Sequence, residues 1–158
     1  MTDLDLTTQD TTAIEKLGEA RRKIMDAINN ESAVNHKEDV VVPRATIHLL
    51  LKGMRELAQR YSVRIISFGH AGDGNVHVNV LKDGLSGERW QAVVPVVTEE
   101  IFHLALSLGG TLTGEHGIGV TRRPYLPLAL DATQIALMRH IRDVFDPNHI
   151  LNPDKIFP

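Results

Sequence analysis

Apolar residues recur at helical spacing in four segments of the chain, which predicts four helices. These segments are about residues 13–29, 44–60 and 87–108, and the stretch that follows Asp131. Asp131 is a residue type that caps helix N-termini. Pro95 lies inside the third segment, where we expect a kink or a late start because proline has no backbone N–H.

Short β-branched runs predict three strands, at about residues 39–42, 63–68 and 76–80. In the last run valines alternate with His77 and Asn79, so these two polar side chains share the face opposite the valines. A Gly-Asp-Gly turn at residues 71–75 joins the second and third strands into a hairpin. We therefore expect an α+β fold, with an antiparallel or mixed sheet and helices packed on one face. Residues 1–12 are polar and predict a loose N-terminal segment ahead of a domain at 13–158.

Composition narrows the class of protein. The 158 residues are 42% hydrophobic and 23% charged, which is typical of one globular domain. A net charge of −3 does not favour nucleic acid as a partner. No apolar run approaches the roughly 20 residues of a membrane span, and the acidic N-terminus does not resemble a signal peptide. The absence of cysteine excludes thiolate metal sites and disulfides. We expect a cytoplasmic location, with attachment to the inner face of a membrane as the alternative.

Candidate chemistry is concentrated in two glycine-rich segments. The first, Gly-His-Ala-Gly-Asp-Gly-Asn-Val-His at 69–77, places His70 and His77 at opposite ends of the hairpin turn. The second, Gly-Glu-His-Gly-Ile-Gly at 114–119, adds Glu115 and His116. Three imidazoles and a carboxylate form a ligand set for a divalent transition metal. Asp73 is a further candidate ligand, although Asp-Gly is also a common turn pair, and the turn role is favoured.

Other polar residues have ordinary interpretations. The remaining histidines are expected at surface or packing positions; they are His36, His48, His103, His140 and His149. Arg122 and Arg123 either bind an anionic substrate or cofactor or form a solvated charge pair. The chain lacks a P-loop, a G-x-G-x-x-G motif and a Gly-x-Ser-x-Gly nucleophile motif, so neither nucleotide hydrolysis nor serine chemistry is supported.

The two segments resemble motifs of a known family, together with Asp-Pro-x-x-Ile-Leu-Asn-Pro-x-Lys at 146–155 and Lys-Glu-Asp-Val-Val-Val-Pro at 37–43. The chain is similar to the C-terminal domain of FAD-linked oxidases of the D-lactate dehydrogenase, glycolate oxidase FAD subunit and D-2-hydroxyglutarate dehydrogenase type. The resemblance covers roughly residues 13–158. It implies a flavoenzyme in which a separate FAD-binding domain or subunit is the partner of this domain. We expect the chain to be a fragment or a truncated gene product that lacks that domain and is inactive alone.

The resemblance also implies roles for individual residues. Three match the family's metal ligands, with Zn²⁺ favoured and Mn or Fe as alternatives: His70, His77 and Glu115. His116 matches the catalytic base. The implied substrate contacts are Asn79, Arg22 and Lys37, and the implied cofactor contact is Asn152.

These roles imply oxidation of a D-2-hydroxy acid to the 2-oxo acid, with hydride transfer to FAD. Two alternatives stay open. One is a stand-alone module that binds a metal or a small carboxylate without redox activity. The other is a metal-dependent hydrolase that uses the same ligands with a bound water. An exposed domain interface would also favour homo-oligomers.

Overall fold

The structure is a computed structural model that describes residues 12, 15, 16, 18, 19 and 23–158. The chain divides into two compact units, Met1–Val34 and Asn35–Pro158. In the first unit, helix α1 spans Ile24–Glu31. Most of the predicted helix before Lys23, including Arg22, lies outside the described residues.

The second unit is built on a three-stranded antiparallel sheet. Its strands are β1 (Asn35–Val41), β2 (Arg64–His70) and β3 (Asn75–Leu81), in the order β1-β3-β2. The prediction of an α+β fold with an antiparallel sheet is confirmed. Strand β1 begins four residues earlier than predicted, because its polar first half is ordered by pairing with β3 and shows no apolar alternation of its own.

Two helices cover the valine face of the sheet. Helix α2 spans Ile47–Tyr61 after a 3₁₀ turn at Arg44–Thr46, and helix α3 spans Gly87–Ser107. The core joins valines of the sheet to apolar side chains of both helices; among them are Val40, Val76, Val78, Val80, Leu50, Met54, Leu57, Val97, Ile101 and Phe102. Burying each such side chain contributes about 1.5–3 kcal/mol. The opposite face of the sheet, which carries Asp39, His77 and Asn79, is not part of this core.

Helix α3 begins where the sequence predicts. The Ser86 hydroxyl caps it by accepting a hydrogen bond from the Arg89 N–H at 3.1 Å. Pro95 lies inside the helix, so the alternative of a late start is wrong. The helix ends just before Gly109, which adopts a φ of +79°.

The C-terminal part is helical and then irregular. A 3₁₀ turn at Arg123–Tyr125 leads into the short helix α4, Leu126–Ala129, and then α5, Ala132–Phe145. Asp131 and Gln134 form a capping box at the start of α5, which confirms Asp131 as the cap. Beyond it, Asp146 accepts hydrogen bonds from the N–H groups of Ile150 and Leu151. Among the described helices, none has both the length and the apolar character needed to cross a bilayer.

Candidate metal centre

The β2–β3 hairpin positions two imidazoles. Asp73 accepts a hydrogen bond from the Asn75 N–H at 3.1 Å, so its side chain stabilises the turn. Gly74 adopts a φ of +82°, and a Cβ there would lie 2.0 Å from the Val42 carbonyl oxygen, so the turn requires glycine. The rings of His70 and His77 are 5.4 Å apart in a T-shaped arrangement. The hairpin therefore brings both histidines to one place.

Glu115 completes the set from the loop that follows residue 113. One carboxylate oxygen lies 3.1 Å from His70 Nε2, and the other lies 4.0 Å from His77 Nε2. One ligand atom from each of the three residues lies within 4.8 Å of the other two. Two imidazole nitrogens and a carboxylate suit a divalent transition metal and leave positions for further ligands. The residues predicted from the two segments thus fit a single ion chemically.

Asp39 links the two halves of this centre. Its Oδ2 atom accepts hydrogen bonds from three consecutive backbone N–H groups, those of Gly114 (2.9 Å), Glu115 (2.7 Å) and His116 (2.9 Å). Its Oδ1 atom lies 3.6 Å from His77 Nδ1. The sequence interpretation placed Asp39 in a strand and gave it no role. The sequence feature that could have indicated this role is an acid directly before a buried β-branched run. A carboxylate buried at such a position needs hydrogen-bond donors.

The Asp39 carboxyl is fully buried. Burial disfavours the charged form and by itself would raise the pKa of this group. The N–H groups of His116, Glu115 and Gly114 donate to the carboxylate, and the nearby His116 also favours the anion. These interactions outweigh burial, so the pKa of Asp39 lies below its ordinary value. Asp39 is therefore a carboxylate at neutral pH, and its charge is directed at both histidine-bearing segments.

His116 lies beside the three predicted ligands. Its ring stacks on His77 with centroids 5.5 Å apart and an interplanar angle of 21°. Its Nδ1 lies 3.9 Å from Asp39 Oδ2, and about half of the side chain is exposed. His116 also belongs to a second group of potential metal ligands, with Asp39 and His77. Its exposure and its nearby carboxylate are what a proton acceptor needs.

A buried ion pair holds the far end of the Glu115 loop. Arg122 Nε donates to Glu38 Oε2 at 2.5 Å, and both side chains are at least 93% buried. Arg122 also donates to the Gly117 carbonyl oxygen at 2.9 Å, and Glu38 Oε1 lies 2.7 Å from His36 Nε2. Neither alternative predicted for Arg122, an anion site or a solvated pair, describes this buried residue. Arg123 instead donates to the Asp154 carbonyl oxygen at 2.7 Å.

Two of the three predicted substrate contacts, Lys37 and Asn79, lie in the described sheet. Lys37 is exposed and pairs across the strands with Asn79, so both lie on the sheet face that carries His77. Asn79 is 2% exposed, and its Oδ1 atom has no hydrogen-bond partner among the described residues. Arg22 lies outside the described residues.

Asn152, the predicted cofactor contact, lies on the irregular C-terminal segment. Its Oδ1 atom accepts a hydrogen bond from Lys155 Nζ at 3.2 Å. With Phe145, Leu151 and Phe157 it lines a surface cavity of about 410 Å³. No described residue that lines this cavity belongs to the metal centre.

Comparison with known proteins identifies relatives over nearly the whole chain. The sequence model of FAD linked oxidases, C-terminal domain, matches residues 2–156. The chain is 40% identical over 141 residues to the glycolate oxidase subunit GlcD of Bacillus subtilis, covering 89% of this chain and 30% of that protein. It is 36% identical over 154 residues to a D-lactate dehydrogenase of Anaerostipes hadrus, covering 97% of this chain and 32% of that protein. A D-2-hydroxyglutarate dehydrogenase of Stutzerimonas stutzeri is 31% identical over 147 residues, covering 91% and 31%. The chain spans about a third of the length of these relatives.

Proposed function

The chain belongs to the family of FAD-linked oxidases, C-terminal domain, and on that premise we propose that it is the substrate- and metal-binding part of a flavin-dependent enzyme. The enzyme oxidises a D-2-hydroxy acid of the lactate, glycolate or 2-hydroxyglutarate type to the 2-oxo acid. In this proposal FAD is held mainly by a domain or subunit that corresponds to the unmatched two thirds of the relatives' sequences. Asn152 of this chain also contacts FAD. Without that partner the chain has no redox activity.

The observation that carries the proposal is the convergence of His70, His77 and Glu115 on one point. Their Nε2 atoms and carboxylate would hold one divalent ion, with Zn²⁺ as the first choice and Mn or Fe as alternatives. Such an ion, when bound, supplies a Lewis acid that lowers the pKa of an α-hydroxyl group.

His116 is proposed as the general base. Its Nδ1 faces the Asp39 carboxylate, which stabilises the imidazolium that forms when Nε2 accepts the hydroxyl proton. Lys37 would pair with the substrate carboxylate, and Asn79 would donate from its amide. Arg22 is proposed as a second cation for the same carboxylate. A bound FAD would supply the hydride acceptor that the conversion of the hydroxy acid to the 2-oxo acid requires.

One experiment with three histidine variants tests the proposal. His77→Ala removes a ligand, His116→Ala removes the base, and His103→Ala is the control, an exposed histidine on α3 beside Glu99. Metal content is measured by elemental analysis of the purified chain. Turnover is measured in the protein that contains this chain and its flavin-binding partner.

The wild type and His103→Ala should hold about one equivalent of metal. His77→Ala should lose both metal and turnover. His116→Ala should keep the metal, and its kcat should fall by about 10²–10⁴-fold with little change in KM. Stoichiometric metal in His77→Ala would reject the ligand assignment, and full turnover in His116→Ala would remove that residue from the mechanism.

A binding module without redox activity is the second candidate. The observation in its favour is that all three proposed metal ligands lie within this chain. It predicts that calorimetry detects metal or 2-hydroxy acid binding by the isolated chain, while the protein turns over no hydroxy acid even with a flavin partner present.

A further inference from the structure

We propose that Asp39 is the positioning residue of the metal centre, and that its two carboxylate oxygens serve the two halves of the site separately. One oxygen orders the loop that carries Glu115, and the other sets the tautomer of His77. The inference rests on the proposed metal site, but Asp39 lies outside the ligand set assigned there.

The first oxygen acts on the loop. Oδ2 accepts from the backbone N–H groups of Gly114, Glu115 and His116, and from the Thr113 hydroxyl at 3.3 Å. Consecutive N–H groups that converge on an anion form a nest, which is specific for negative charge. The Thr113 hydroxyl in turn accepts from the Gly117 N–H at 2.8 Å and closes the loop. The backbone of Glu115 is thereby fixed while its carboxylate lies against His70.

The second oxygen acts on the histidine. Oδ1 is buried and has no hydrogen-bond partner among the described residues. A buried acceptor without a hydrogen bond is destabilising, so this oxygen favours a neighbouring N–H. His77 Nδ1 lies 3.6 Å from this oxygen, which is longer than a hydrogen bond, and His77 is the direct cross-strand partner of Asp39. A proton held on Nδ1 leaves the lone pair of Nε2 on the Glu115 side, where a metal needs it.

Strand register explains why an aspartate occupies this position. Asp39 and His77 are direct partners in the antiparallel β1–β3 pair, so their side chains emerge side by side on one face. Asp39 also belongs to a second group of close ligand atoms, with His77 and His116. If this second group bound an ion, His77 Nδ1 would have to lose its proton and act as a ligand instead of a hydrogen-bond donor. Oδ2 accepts four hydrogen bonds from the loop and Oδ1 is buried beside His77 Nδ1, so a positioning role accounts for both oxygens.

The test replaces the carboxylate with its isosteric amide. In Asp39→Asn the amide oxygen can still accept from the loop N–H groups, while the amide NH₂ faces His77 and forces its proton onto Nε2. Asp146→Asn is the matched control, because Asp146 is also a buried aspartate that accepts two backbone N–H groups, but it lies outside the metal centre. Both variants are compared with the wild type by Zn²⁺ and Mn²⁺ titration calorimetry. The His77 tautomer is read by long-range ¹H–¹⁵N NMR of the metal-free chain.

We expect His77 to be the Nδ1–H tautomer in the wild type and in Asp146→Asn, and the Nε2–H tautomer in Asp39→Asn. Metal affinity should fall about 10–100-fold in Asp39→Asn alone. An Asp39→Asn variant with wild-type metal affinity and an unchanged His77 tautomer would overturn the proposal. It would also be overturned if the wild type bound two equivalents of metal and Asp39→Asn lost both, because Asp39 would then be a ligand in the second group. An Nε2–H tautomer in the wild type overturns it even if Asp39→Asn does not fold. If the wild type binds no metal, the metal proposal fails while the tautomer still tests Asp39.

Discussion

Two adjacent acids of strand β1 hold one loop from two sides. Asp39 binds the N–H groups at its start, and Glu38 reaches its far end through Arg122, which also binds the Gly117 carbonyl. Successive residues of a strand point to opposite faces, so a single dipeptide can reach both ends of a loop that folds around the strand. Since buried charges are tolerated only with partners, Glu38 and Arg122 depend on each other, and Asp39 depends on the backbone N–H groups of the loop.

Removal of Arg122 should be strongly destabilising. Arg122→Met leaves the Glu38 carboxylate buried without its cation, and this is expected to lower the free energy of unfolding by about 3–5 kcal/mol. Urea denaturation followed by circular dichroism measures the loss. Arg55→Met, at an exposed position on α2, is the control and should change stability by less than about 0.5 kcal/mol. A loss in Arg122→Met no larger than that of the control would contradict the structural role given to the pair.

Local spacing explains which site residues could be predicted. The strand period and the Gly-Asp-Gly turn are enough to place His70 and His77 together. Asp39 and its N–H donors are separated by 75 to 77 residues, and Glu38 and Arg122 by 84. Such pairs leave no trace in local periodicity, so the ordering carboxylate and the buried ion pair appear only when the fold brings the segments together.

At the scale of elements, the helices were predictable where one apolar face meets the core. Helix α2 fits this case, as does α3, whose start the sequence also marks with Ser86. The segment 123–129 contains two prolines, yet it forms two short helical turns. Pro124 and Pro127 are each the second residue of these turns, where the backbone N–H groups have no partner within the turn, so a missing N–H costs little. The polar half of β1 was missed because its partner strand, rather than its composition, makes it a strand.

The capping box of α5 gives an element-scale prediction. No residue of this helix is buried, so end effects weigh more on it than on a core helix. Asp131→Ala removes the acceptor for the Gln134 N–H and should lower the free energy of unfolding by about 0.5–2 kcal/mol. Thermal unfolding of this variant is compared with Asp131→Asn, which keeps a capping oxygen and should resemble the wild type. Equal melting temperatures for the two variants would show that the cap contributes nothing.

At the scale of the whole molecule, the C-terminal end exposes a large apolar surface. Side chains of α5 and of the segment after it are more than half exposed; they are Leu137, Ile141, Val144, Phe145, Ile150 and Leu151. Contiguous apolar patches of this kind are typical of interfaces. The family could be identified from the sequence because its motifs are spread over the whole chain. The partner of this surface could not be identified, because an apolar face specifies burial but not what buries it.

The apolar surface predicts self-association of the isolated chain. We expect the weight-average mass in sedimentation equilibrium to rise with protein concentration, because association with a second copy removes this apolar surface from water. Val144→Glu, at a position 77% exposed, should shift the protein towards monomer. Val120→Glu, at an apolar position 54% exposed outside α5, should not. A wild type that stays monomeric at all concentrations, or an equal effect of both substitutions, would contradict this assignment.

The strand order β1-β3-β2 also determines when the proposed metal centre can form as the chain folds. Strands β2 and β3 are joined by a tight turn, and such hairpins close in about 1–10 μs. The Glu115 loop meets Asp39 only after a separation of 76 residues has been closed, a non-local and slower event. During synthesis the residues of the hairpin are added to the chain before residue 115. The two imidazoles are therefore brought together early, and the carboxylate that completes the set arrives with the last long-range contacts of folding.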